Sequence, residues 1–151
     1  VPLPPLRRTL DLSSAGEGGA FDLYGWYGAE PDGRWSRAAC AEVIVAAPAG
    51  TSEVRVDVLG RVFGTAVGGT ARVRLSLDDG LAEELTFEND DFATGSAVLR
   101  YEPSPDQPRN IRLTLVRLDP VSPADAGLGE DERKIGVLVR RIDLAWNAAA
   151  G

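Results

Sequence analysis

The side chains best suited to recognition chemistry are concentrated in residues 25–36, where Trp26, Tyr27, Glu30, Asp32, Arg34 and Trp35 stand between glycines and Pro31. Flat aromatic faces accept the C–H face of a sugar ring, and carboxylates with a guanidinium supply directional hydrogen bonds to its hydroxyls. The same residues also suit a structural corner, with one or both tryptophans plugging an end of the fold and Arg34 paired to a carboxylate. Asp131 and Arg133, two apart on one side of an extended segment, read as an internal ion pair or as reaching acids elsewhere.

Other chemistries are thinner. The chain has no histidine, which removes the commonest general base, the usual zinc ligand and every Ser-His-Asp or Cys-His arrangement. The carboxylate pairs Glu30 with Asp32 and Asp90 with Asp91 are the candidates for two-acid glycoside hydrolysis. Neighbouring residues point apart on a strand, however, and acids in loops are ordinarily solvated, so the chain is read as non-catalytic. The glycines at 16–19 and 67–69 match neither a phosphate-cradling loop nor a dinucleotide fingerprint, because no helix and no lysine follow in place. No cofactor is expected. Structural calcium is the one metal considered, at Glu88-Asn89-Asp90-Asp91 or Glu130-Asp131-Glu132, and neither run has the spacing of the helix-loop-helix calcium site.

A formal net charge of −7 repels phosphate backbones, and no basic stripe overrides it, so nucleic acid is not an expected partner. Anionic membrane surfaces are disfavoured by the same sign. No apolar run is long enough to span a bilayer and no basic-then-apolar leader precedes the first strand, so no membrane insertion is expected of this soluble chain. With Val1 first and no methionine, it is expected to be a processed form or an excised piece. The lone Cys40 has no internal disulfide partner and reads as a small buried residue.

To hold those groups, 151 residues with 44% hydrophobic content fit one self-sufficient core. Short apolar alternations separated by Gly, Pro and Asp predict an all-β domain over 9–147, after an extended lead-in at 1–8 and before a tail at 148–151. Strands are expected at 9–13, 20–24, 38–46, 54–58, 61–67, 71–77, 83–87, 97–101, 111–115 and 134–146. Asp78-Asp79-Gly80 closes a tight hairpin, and Ser122-Pro123-Ala124-Asp125 has the grammar of a short helical turn at 123–126. The last strand is expected to be central and covered on both sides, with Ile135, Val137 and Val139 on one face and Leu138, Ile142 and Leu144 on the other. About nine strands at this turn spacing predict a single-domain β-sandwich of jelly-roll type.

Two separated elements carry a resemblance. Gly25-Trp26-Tyr27, Glu30 and Gly33-Arg34-Trp35-Ser36 come early; Ser122-Pro123-Ala124-Asp125-Ala126-Gly127 and Asp131-Glu132-Arg133-Lys134-Ile135-Gly136-Val137 come late. In that order they resemble an uncharacterised β-sandwich module of bacterial envelope proteins, found beside or fused to glycosyltransferases and other polysaccharide-handling membrane proteins. The resemblance runs from about Leu10 to Leu144, and Ala126 departs from it where a larger apolar residue is expected. It implies a carbohydrate-binding-like fold and an extracytoplasmic setting, in the envelope or secreted.

On this basis the chain is expected to be a non-catalytic accessory module that binds glycan or docks a partner protein. The binding residues would be Trp26, Tyr27, Glu30, Asp32, Arg34, Trp35, Asp131 and Arg133. The alternative is a structural or self-assembling interaction subunit with the aromatic residues buried in the core, and a homo-oligomer is compatible with either. If the first and last strands lie close, the two elements share one rim, bringing Glu30 or Asp32 to Arg133 and Arg34 to Asp131.

Overall fold

Alternating apolar and polar residues bury one face of each strand and leave the other wet, and the chain answers that constraint with two facing sheets. The computed structural model describes residues 6–13, 21–37, 40–62, 70–78, 80, 82–118 and 135–148. Within them lie β1 (Arg7–Asp11), β2 (Phe21–Tyr24), β3 (Trp26–Glu30), β4 (Gly33–Arg37), β5 (Ala41–Ala47), β6 (Thr51–Arg61), β7 (Ala71–Leu77), β8 (Glu83–Phe87), β9 (Ala93–Arg100), β10 (Arg109–Leu118) and β11 (Ile135–Ala148).

One sheet runs β2-β5-β10-β7-β8; the other runs β3-β4-β11-β6-β9, with β1 also paired to β11. The pairings are antiparallel. The organising strand is β11. One of its edges takes β6 along most of its length, and the other takes β4 near Ile135–Val139 and β1 opposite Arg141–Ala145. Between the sheets lies one core, fed by Val43 and Val45, Val54, Val56 and Val58, Val73 and Leu75, and Ile111, Leu113 and Leu115. The architecture is the all-β jelly-roll sandwich that the strand spacing predicts, and the hairpin expected at Asp78 joins β7 to β8, with Asp78 at φ 48°.

Three readings change in detail. Residues 25–36, outside the expected strands, fold as the β3–β4 hairpin around a turn at Pro31 and Asp32, which brings the strands among the described residues to eleven. Trp26, Tyr27 and Trp35 thus behave as the aromatic strand formers they are, and only the Pro-Asp pair is needed for the turn.

The faces of β11 are also regrouped. Val139 pairs with Gly60 but Arg141 with Leu59, so Arg140 is an extra residue. That bulge reverses the parity of everything beyond it and brings Ile142, Leu144 and Trp146 into the same core as Val137 and Val139. The outer face of β11 consequently carries the exposed Arg141 and the half-buried Asp143 and Ala145, rather than being covered along its length.

The expected strand at 61–67 is met only at its start, where Arg61 ends β6; residues 63–69 lie outside the described residues, as does the helical turn at 123–126.

Candidate functional site

At Gly25 the chain leaves β2, in the five-stranded sheet, for β3, in the six-stranded one. Its φ is +80°, and a Cβ there would overlap Cys40 O, so the corner needs glycine. Gly25 O accepts the Arg37 N–H at 2.9 Å, closing the open end of the β3–β4 hairpin.

The corner sets the two aromatic residues that follow on opposite errands. Trp26 turns inward against the core, and its Nε1 donates to Glu42 O of β5 at 3.0 Å. It therefore ties the edge of one sheet to the other. Tyr27 is half-buried beside Arg37, whose guanidinium carbon lies 5.3 Å from the ring centroid.

On β4, Ser36 faces inward and is buried, and its Oγ accepts the Val137 N–H of β11 at 2.9 Å. Gly136 presses so closely on Ser36 that a Cβ would overlap the hydroxyl, while Gly136 O accepts from Arg117 Nη1 at 3.1 Å. Arg117 is buried, and burial pushes its pKa down while the charge of Asp90 opposes the shift. The described parts of the two sequence elements are thus joined by backbone pairing and one buried hydroxyl, with Gly33 closely fitted to Val139 O.

The remaining expected site residues divide. Glu30 and Asp32 are exposed near the hairpin tip. Arg34 is half-buried, and its Nε is a buried atom with no hydrogen-bond partner. Trp35 is half-buried and stands opposite Leu138 of β11. Asp131 and Arg133, and with them the expected approach of Glu30, Asp32 and Arg34 to those two residues, lie outside the described residues.

Leu138 in turn pairs with Arg61, which lies 5.8 Å from the Phe92 ring centroid. Trp35, Leu138, Arg61 and Phe92 therefore form a stripe across the outer face of the six-stranded sheet, with Tyr27 and Arg37 at its hairpin end. Leu138 is only 5% exposed and Phe92 36%. The sequence reading missed Arg37, Arg61 and Phe92, since their adjacency depends on strand order and register.

Farther along the same face is a polar row. Asp143 stands directly opposite Asp57, with Thr9 beyond the first and Ser96 beyond the second. Thr9 Oγ1 donates to Asp143 Oδ1 at 2.7 Å, and Ser96 Oγ to Asp57 Oδ1 at 2.5 Å. Arg141 and Arg55 bond Asp143 and Asp57 at 2.9 and 3.2 Å.

For the metal question, no group of three or more potential ligands occurs among the described residues. In the 88–91 turn, Asn89 Oδ1 accepts the Asp91 N–H at 2.9 Å and the charge of Asp90 acts on Arg117, so part of the turn's donor set is engaged internally. Residues 130–132 are outside the described residues.

Two antiparallel sheets in this order make a jelly-roll β-sandwich, a fold shared with solved carbohydrate-binding modules. The family 35 carbohydrate-binding module from Clostridium thermocellum superposes with a TM-score of 0.54 at 7% identity, covering 91% of this chain and 96% of that one. The family 35 module of Cellvibrio japonicus Abf62 gives 0.54 at 13% identity, covering 95% and 98%. A family 36 module in complex with calcium and xylotriose gives 0.53 at 16% identity, covering 91% and 99%. At these identities the likeness is one of fold. No family model and no curated protein matches the chain.

Proposed function

We propose that this chain is a non-catalytic glycan-binding module, and that its binding face is the outer face of the six-stranded sheet. The observation that carries the reading is the stripe of Tyr27, Arg37, Trp35, Arg61 and Phe92, which sets aromatic rings and guanidinium groups side by side on one sheet. A sugar stacking on Tyr27 displaces the exposed Arg37, a contact worth about 0.5–1 kcal/mol, and the freed guanidinium then donates to ring hydroxyls. Glu30 and Asp32 at the hairpin tip add acceptors. Trp26 takes no part, because its indole is committed to the core and to Glu42 O.

The shared fold of carbohydrate-binding modules supports the reading, and the family 36 relative is itself a complex with a xylotriose. The setting that fits is an extracytoplasmic polysaccharide system, with this domain as an accessory to other activities. A glycan array probed with wild type and Tyr27→Ala tests it: binding to a defined glycan, lost in the variant at unchanged melting temperature, is the expected result. Absence of binding to every glycan overturns it.

A second reading, protein docking or self-association, is favoured by β9. Among the described residues it ends its sheet, and Val98 on its outer face is 46% exposed, an apolar side chain that a second copy could cover. Concentration-dependent dimerisation in sedimentation equilibrium, abolished by Val98→Lys, is its signature.

A further inference from the structure

The polar row farther along the same face breaks a local rule. Asp57 and Asp143 face each other across neighbouring strands, a placement of like charges that destabilises a sheet. The surroundings do not relieve it by separating the carboxylates. They fix both in place instead, each held by one hydroxyl and one guanidinium. Departures of this kind concentrate where a structure serves binding.

Beside the pair is a depression of about 290 Å³ whose lining includes Arg7, Thr9, Asp57, Asp143 and Ala145. Its floor is small because Ala145 stands between Arg7 and Arg55 in the next cross-strand row. The floor is thus apolar and the rim combines acceptors, the two carboxylates, with guanidinium donors. A vicinal diol needs both, since each hydroxyl donates one hydrogen bond and accepts others. Asp57 Oδ2 takes neither the Ser96 nor the Arg55 bond, both of which end on Oδ1.

Resting on the glycan-binding reading, we propose that this depression is a second sugar subsite, taking one neutral pyranose through its vicinal hydroxyls, with its C–H face on Ala145. Asp57 and Arg61 lie on the same face of β6 about 13 Å apart along the strand. The subsite and the aromatic stripe are then two contacts for one extended chain, and the ligand class is a neutral polysaccharide rather than a lone sugar.

Residue-resolved amide and methyl NMR on wild type, titrated with neutral xylo-, cello- and manno-oligosaccharides, tests this directly. Shifts at Thr9, Asp57, Asp143 and Ala145 together with shifts at Tyr27 and Phe92 are expected. Ala145→Trp, which fills the depression, and Asp143→Asn, which replaces an acceptor oxygen by an amide donor, each weaken binding about tenfold or more. Two variants are used so that a misfolded Ala145→Trp still leaves an answer. Shifts confined to Tyr27 and Phe92 overturn the subsite and leave the glycan reading standing. Shifts confined to the Asp57–Asp143 row support the subsite and overturn the aromatic stripe. No shifts with any of the three series overturn the neutral-polysaccharide subsite, and the glycan array then decides the stripe.

Discussion

Replacing Gly136 by alanine tests how the two ends of the sandwich's organising hairpin and strand are locked together. The new methyl group would overlap Ser36 Oγ, whereas its next neighbours, Ser36 Cβ and Ser36 O, sit at an ordinary 3.4 Å. The hydroxyl has to move, and moving breaks its 2.9 Å bond to the buried Val137 N–H. An unsatisfied buried N–H costs about 1–3 kcal/mol, and the residual overpacking about 1–3 kcal/mol more. Stiffening of the unfolded chain returns only about 0.4–1 kcal/mol. Ser36→Ala alone loses the hydrogen bond but nothing else, about 1–3 kcal/mol. In the double variant the overlapping atom is gone, so its loss is expected to lie about 0.4–1 kcal/mol below that of Ser36→Ala and to fall short of the sum of the single losses by about 2 kcal/mol or more. Urea unfolding followed by tryptophan fluorescence measures all four corners of the cycle. Additivity within about 0.5 kcal/mol would refute the reasoning, because it would mean that Gly136 and Ser36 do not meet.

Other outcomes follow from single contacts. Trp26→Phe keeps most of the packing and loses the bond to Glu42 O, about 1 kcal/mol by chemical denaturation, whereas Trp26→Ala loses about 3 kcal/mol or more and is unsuited to any binding test. Cys40 is half-buried rather than buried as expected, and that partial burial, with the carboxylate of Glu42 beside it, pushes the thiol up, so alkylation by iodoacetamide at pH 8 is expected to be slower in the folded protein than in urea. Bonds from the Ser13 hydroxyl and N–H hold Asp11 below its ordinary value. Its contribution is therefore present above the unfolded-state pKa, near 3.9, and fades as pH falls through the lower folded value. The stability gap between wild type and Asp11→Asn should be constant from pH 7 to 5 and shrink below about pH 4.

Much of this architecture was legible because period-two alternation is a direct consequence of burying one face. Val54, Val56 and Val58 fall at alternate positions of the strand expected at 54–58 and are buried, and Asp78-Asp79-Gly80 lies at the expected hairpin between β7 and β8. What escaped depends on information that no local window holds. The extra residue at Arg140 is invisible without its partner Leu59, yet it decides which face Ile142 and Leu144 take. The aromatic cluster at 25–36 was conspicuous, but the opposite fates of Trp26 and Tyr27 follow from the corner at Gly25, where the chain changes sheets. Asp57 and Asp143 are ordinary outward residues of two separate strands, and only the pairing of β6 with β11 places them face to face.

The claim that the outer face of the six-stranded sheet binds glycan is tested most directly by calorimetric titration. The strongest array ligand would be added to wild type and to Tyr27→Ala/Phe92→Ala, both side chains lying on that face and away from the core bond of Trp26. The account predicts an affinity loss of about tenfold or more in the double variant, with the urea midpoint unchanged. Equal affinity in the two proteins would contradict it.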